Sequence, residues 1–286
     1  METLNIVEEY DLKGMGFNSA DYIHVLSEAM KIAVADRIRY SGDPDFTDVP
    51  VDSLISKEYA AERRKLVNMD KASISRGQRW TKNPPSDSVP AGKPTEYLPG
   101  LTTHFGIIDL EGNVVSVTQT LGNGFGCGRV VPGTGLALNN AVNWMETDPA
   151  CDTPNLIEGG KRWSVCLSPT QVYRDGKFYL SVSTPGSYGI LQTTVQMLLT
   201  VLEFGANIQG GIEAPRFTTG DGVRLSIEDR VPGEIRDALS ERGHAFDVSP
   251  PYSAGFGGGQ AVMIDPDSGA RMAGGDPRRD GYGLAF

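Results

Sequence analysis

Leu101-Thr102-Thr103-His104-Phe105-Gly106 sits where the chain changes character. Before it, from Arg76 to Pro99, the residues turn to Pro, Ser, Lys and Gly with few apolar positions, the texture of a linker about two dozen residues long. After it the pattern turns strand-like. Thr103 to Leu110 and Val114 to Thr120 flank the turn Glu111-Gly112-Asn113, which reads as a hairpin. A Thr pair therefore stands at the junction of a linker and a strand. If the bond before Thr102 is cut, Thr102 carries a free α-amine beside its own hydroxyl. That amine, with an ordinary pKa of about 8, is able to serve as general base for the hydroxyl as nucleophile. The plain alternative is that Thr102 and Thr103 are two β-branched strand residues.

Working outward, Ile23, Leu26, Met30, Ala33 and Ile38 recur at helical spacing, predicting a helix from Ser19 to Arg39 with Asn18 as its cap. Val51 to Val67, after Pro50, predicts a second helix ending in basic residues. Thr170 to Tyr173 and Phe178 to Val182 flank Asp175-Gly176 as a second hairpin. Thr184-Pro185-Gly186-Ser187 then leads into a helical run from Tyr188 to Phe204. A helix from Gly233 to Arg242 is stopped by Gly243, and a closing hairpin turns at Asp265 to Gly269. Hairpins alternating with amphipathic helices predict a sheet covered by helices, in layers.

Apolar residues make up 39% and charged residues 22% of the 286 positions, the balance of a folded globular chain. The net charge of −10 is spread along the sequence without a basic block, which argues against a nucleic-acid partner. No run approaches the roughly 20 apolar residues of a membrane span, and the first residues lack a signal-peptide pattern. Cys127, Cys151 and Cys166 have no metal-ligand spacing. One bridge among them is open, as is the reading of all three as buried free thiols. His24, His104 and His244 form no ligand pair, and no metal or organic cofactor site is evident. Gly122-Asn123-Gly124-Phe125-Gly126 lacks the Lys-Ser/Thr and the strand-to-helix context of a nucleotide loop.

Several stretches in order carry a resemblance. They are Glu28-Ala29-Met30, Ala35-Asp36-Arg37 and Gly42-Asp43-Pro44-Asp45-Phe46, then Thr102 to Phe105, Gly112 to Leu121 and Gly135 to Asn140, and finally Ser168-Pro169-Thr170, Asp175-Gly176-Lys177 and Asp276-Pro277-Arg278. With their spacing they resemble the gamma-glutamyltransferase family, self-cleaving N-terminal nucleophile hydrolases, over nearly the whole chain. The resemblance implies an α+β fold, an αββα sandwich that is N-terminally incomplete here. Residues 1–101 then correspond to the end of a large subunit with its linker and residues 102–286 to a small subunit, together part of one αββα domain. It also implies autocleavage between Leu101 and Thr102, Thr102 as nucleophile, Thr120 as the hydroxyl bonded to it, and Gly186 and Ser187 as the backbone N–H pair that holds the oxyanion. Pro185-Gly186 at a helix entrance suits an anion on physical grounds as well.

The polar residues with which the family's transferases grip a glutamyl head fall here on Gly122, Ala141, Trp144, Val165 and Cys166, none of which keeps the expected group. Asn140 to Met145 looks more like the cephalosporin-acylase branch, which takes dicarboxylate side chains. The implied substrate is a small-molecule acyl amide, glutathione-like or another gamma-glutamyl or dicarboxylyl amide, with no cofactor. The family also suggests a periplasmic or extracellular site and a missing N-terminal large-subunit segment or self-association. The competing reading is a truncated or catalytically silent member serving as an assembly or binding module. His104 shares a strand face with Thr102, which favours ordering of the cleavage site or packing over direct base catalysis.

Overall fold

A computed structural model of the chain describes residues 1–76 and 102–284. The expected linker beyond Arg76, and Leu101, lie outside these residues. The chain divides into two compact units, one of residues 1–97, 142–165 and 217–250, the other of residues 98–141, 166–216 and 251–286.

The first unit is organised by the helix Ala20–Tyr40, whose side chains are buried on nearly every side. Its cap is Ser19, whose hydroxyl accepts from the Tyr22 N–H at 3.1 Å, and not Asn18, which takes a left-handed φ of 49°. The helix expected from Val51 to Val67 is two pieces, Val51–Leu54 and Lys57–Arg64, because Ser56 starts the second by capping the Tyr59 N–H. The long helix packs against Glu2–Val7, the helix Gly233–Glu241 and the strand Phe217–Thr219. Gly233–Glu241 ends in a Schellman turn. Gly243, at φ 93°, bonds to the Ser240 carbonyl, and the His244 N–H bonds to that of Leu239. Around that helix the strands Arg224–Glu228 and Ala245–Ser249 pair in parallel, and Phe217–Thr219 adds antiparallel to the first. Ser75–Arg76 pairs with Asp221–Gly222.

The second unit contains a four-stranded antiparallel sheet in the order Arg271–Gly275, Gln260–Ile264, Lys177–Ser183, Thr170–Arg174. Alternation along its strands divides its two faces. Leu180, Val182, Ala261 and Met263 pack with Met197, Leu198 and Val201 of the helix Ile190–Leu202 and with Ile208 and Ile212 of the helix Ile208–Glu213. Ser181, Ser183 and Val262 alternate with these, and the hairpin Thr102–Ile108/Val114–Thr120 lies against the Gln260–Ile264 and Lys177–Ser183 strands. A Cβ on Gly106 would stand 3.2 Å from Val262, so glycine permits the approach. Asp109 caps the hairpin turn by accepting from the Asn113 backbone and side chain.

Candidate active site

The hairpin register sets Thr102 opposite Thr120 and His104 opposite Thr118. Thr102 and His104 are buried while Thr103 and Phe105 are exposed, as strand alternation requires. Thr102 Oγ1 donates to Thr120 Oγ1 at 3.1 Å, and the Gly122 N–H donates to the same Thr120 oxygen at 2.9 Å. Gly122 holds φ 88°, and a Cβ there would lie 2.1 Å from Asn140 Oδ1, which accepts from the Asn123 N–H at 2.9 Å. The turn behind Thr120 is thus fixed by a glycine and an asparagine. His104 Nδ1 lies 2.8 Å from Thr118 Oγ1, and burial pushes the ring's pKa down to about 4. The imidazole is therefore neutral at neutral pH.

Gly186 and Ser187 follow the Lys177–Ser183 strand, Gly186 capping and Ser187 opening the single 3-10 turn Ser187–Gly189 that leads into the helix Ile190–Leu202. Gly186 has φ 136° and Ser187 φ 53°, values that L side chains rarely take. The loop is braced by its neighbour: Thr184 Oγ1 accepts from the Gly258 N–H at 2.8 Å and donates to the Pro185 carbonyl at 2.8 Å. The Gly189 N–H bonds back to the Gly186 carbonyl at 3.0 Å.

The remaining sequence-named positions fall as follows. Ala141 is buried, its N–H on Asn139 Oδ1 at 3.0 Å, and Cys166 is buried. Trp144 stacks on Trp163 with centroids 4.8 Å apart, and its carbonyl accepts from Asn155 Nδ2. Val165 is half exposed. The three cysteines form no disulfide with one another; Cys166 is buried, Cys151 half-buried and Cys127 exposed. A groove of about 670 Å³, lined by Phe105 to Glu111 and by parts of 260–284, lies toward the far end of the hairpin from Thr102 and contains none of these residues.

Two of the histidines, expected from the sequence to form no ligand pair, do meet in the fold. His24 and His244, 220 residues apart, meet with Nδ1 and Nε2 at 2.8 Å, while His24 Nε2 lies 2.8 Å from the Asn68 carbonyl. Glu28, one helical turn from His24, completes a set whose ligand atoms lie within 4.8 Å of one another. Its carboxylate is already engaged. Lys31 Nζ donates to Oε1 at 2.7 Å and the Ser73 N–H to Oε2 at 3.0 Å, so both carboxylate oxygens are held by donors of the chain itself. Burial lowers the pKa of His24 and, with Lys31 nearby, takes that of His244 to about 3. The spacing of His24 and Glu28 was visible in the sequence; His244 arrives only through the fold.

The family model described as gamma-glutamyltranspeptidase matches residues 1–286. The chain is 35% identical over 266 residues to the acylase ACY 1 proenzyme of Pseudomonas sp. (strain SE83), which covers 93% of this chain and 44% of that protein. It is 31% identical over 289 residues to the glutathione hydrolase proenzyme of Bacillus subtilis (strain 168), covering 100% of this chain and 48% of that one. The crystal structure of cephalosporin acylase from Bacillus halodurans superposes with a TM-score of 0.82 at 30% identity, covering 100% of this chain and 48% of that chain. Gamma-glutamyltranspeptidase from Pseudomonas nitroreducens gives a TM-score of 0.57 at 30% identity, with 64% of this chain matching 99% of that one. This mixed helix-and-sheet chain belongs to the gamma-glutamyltranspeptidase family. It spans about half the length of the curated relatives it matches.

Proposed function

We propose that this chain carries the catalytic part of an autoprocessing N-terminal threonine amidohydrolase or acyltransferase. The hydroxyl pair Thr102–Thr120 carries the proposal. In maturation, Thr102 Oγ1 attacks the Leu101 carbonyl carbon, the C–N bond breaks as the acyl group moves from nitrogen to oxygen, and water hydrolyses the ester. The Leu101 carboxylate and a free Thr102 amine result. In turnover that amine takes the Thr102 hydroxyl proton as Oγ1 attacks an acyl amide. The Gly186 and Ser187 N–H groups receive the oxyanion, the C–N bond breaks, and the leaving amine departs with the proton from the Thr102 ammonium. Water or an acceptor amine then releases the acyl group from Thr102.

The boundary at Thr102 accounts for the share of this chain matched by the Pseudomonas nitroreducens chain, since residues 102–286 make up nearly the same fraction. The αββα reading is supported by the hairpin's outer face. Phe105 and Val117 pair across it, as do Ile107 and Val115, and Phe105, Ile107 and Val115 are exposed. A fourth layer supplied by the rest of a relative-length protein would cover them. The acyl donors are gamma-glutamyl or dicarboxylyl amides; the latter lack the α-ammonium group, for which Gly122, Ala141 and Cys166 offer no carboxylate or amide side chain. The test is mass spectrometry of the peptide beginning at Thr102 after incubation with gamma-glutamyl and glutaryl p-nitroanilides. An acyl adduct on Thr102 is expected, and release of nitroaniline without one would defeat the proposal.

A further inference from the structure

Between the hairpin and the four-stranded sheet lies a seam of polar groups in place of an apolar core. His104 Nδ1 is 2.8 Å from Thr118 Oγ1, and Thr118 Oγ1 donates to Ser183 Oγ at 3.5 Å. The ring also hydrogen-bonds to the Val117 backbone, and with Nε2 unpartnered this puts the ring proton of His104 on Nδ1, facing Val117 and Thr118. His104 Nε2, Ser116 Oγ and Ser181 Oγ are buried in the same layer without a hydrogen-bond partner. Burying such groups is costly, and an apolar set would fill the layer at less cost. The contacts also have a direction. His104 is two residues from Thr102 on the same strand face, Thr118 is two residues from Thr120, and Ser183 is three residues before Gly186. A line of polar contacts, its last link the long 3.5 Å approach of Thr118 to Ser183, therefore starts beside the Thr102–Thr120 pair and ends on the strand that delivers the Gly186–Ser187 turn.

We propose that His104 is a positioning residue: through Thr118 and Ser183 it fixes the hairpin bearing Thr102 against the strand leading to Gly186 and Ser187. This rests on the roles given to those residues above. His104 touches no reacting atom in this scheme. Neutral near pH 7, it acts as a donor of fixed geometry and not as a proton acceptor for Thr102. The preorganisation of nucleophile and oxyanion donors is where small displacements cost rate.

Two measurements test it. The first is nitrogen-15 NMR of histidine-labelled full chain, which needs no activity. His104 is expected as the neutral Nδ1–H tautomer down to about pH 5, with its Nδ1 signal shifted in Thr118→Val. An Nε2–H tautomer, titration near pH 6.5, or indifference to Thr118→Val would overturn the proposal even if the protein proves inactive. The second is steady-state kinetics with gamma-glutamyl and glutaryl p-nitroanilides on His104→Leu, His104→Asn and Thr118→Val. Leu and Val should lower kcat about tenfold or more with KM within about twofold, while Asn, whose amide can take the place of Nδ1–H, should recover most of it. Equal rates for Leu and wild type would contradict the coupling. A silent wild type would count against the functional proposal, while the NMR result still decides the His104–Thr118 contact.

Discussion

Thr120 lies opposite Thr102 in the hairpin register and accepts its hydroxyl proton across 3.1 Å, while the Gly122 N–H holds the same oxygen from behind. Thr120 is therefore oriented before any substrate arrives, and its hydroxyl is the feature that separates Thr102 from an ordinary strand threonine. Thr120→Val keeps the shape and removes the acceptor. It should lower the rates of cleavage and turnover by about 10- to 100-fold, with Thr120→Ser much closer to wild type. The check is the first-order rate of fragment appearance by intact mass alongside anilide hydrolysis.

Gly186 and Ser187 make opposite predictions. Gly186→Ala forces a side chain to φ 136° and should cost about 1–3 kcal/mol along with activity. Ser187 already occupies φ 53°, so Ser187→Gly relieves strain and leaves the backbone N–H in place. Its activity should stay within about threefold of wild type, with an unchanged or raised Tm. Loss of activity in Ser187→Gly would assign the role to the side chain instead of the backbone.

The buried histidines set an acid limit. Unfolded, each takes up a proton near pH 6.5; folded, His104 does so near pH 4 and His244 near pH 3. Between those values the unfolded chain binds more protons, so stability is fully present above about pH 6.5 and falls as pH drops. The slope is about 1.4 kcal/mol per pH unit for each fully titrating histidine. Denaturant unfolding between pH 7.5 and 5.5 should show the decline, and His244→Gln should flatten it. A flat wild-type profile would contradict the burial of His104 and His244 in their neutral forms.

Asp43 is buried and accepts from the Arg162 guanidinium, with Nε at 3.0 Å, and from the Arg162 backbone N–H at 2.7 Å, which together hold its pKa well below the usual carboxylate range. Asp43→Asn should lower Tm by several degrees and Asp43→Ala by more. Arg162→Lys should cost less than either, because the backbone donor survives it. Thermal melts at pH 7 decide this.

What the sequence reveals depends on range. The helix Ala20–Tyr40 and the three hairpins follow from periodicity and from turn residues such as Asp175-Gly176, at φ 51° and 75°. The break at Ser56 was not legible, since a serine inside good helix formers does not say whether it will cap. The parallel pairing of Arg224–Glu228 with Ala245–Ser249 was missed because each strand is only five residues long and its alternation does not say which distant strand it joins. At the site, the Thr102–Thr120 pair follows from one hairpin register. The His104–Thr118–Ser183 chain and the His24–His244 pair need two elements brought together by tertiary packing.

The most direct test is intact mass spectrometry of the purified chain, wild type beside Thr102→Ala. The proposed chemistry predicts two fragments in wild type, divided between Leu101 and Thr102, and a single intact chain in the variant. An intact wild type, or the same division in Thr102→Ala, would contradict it.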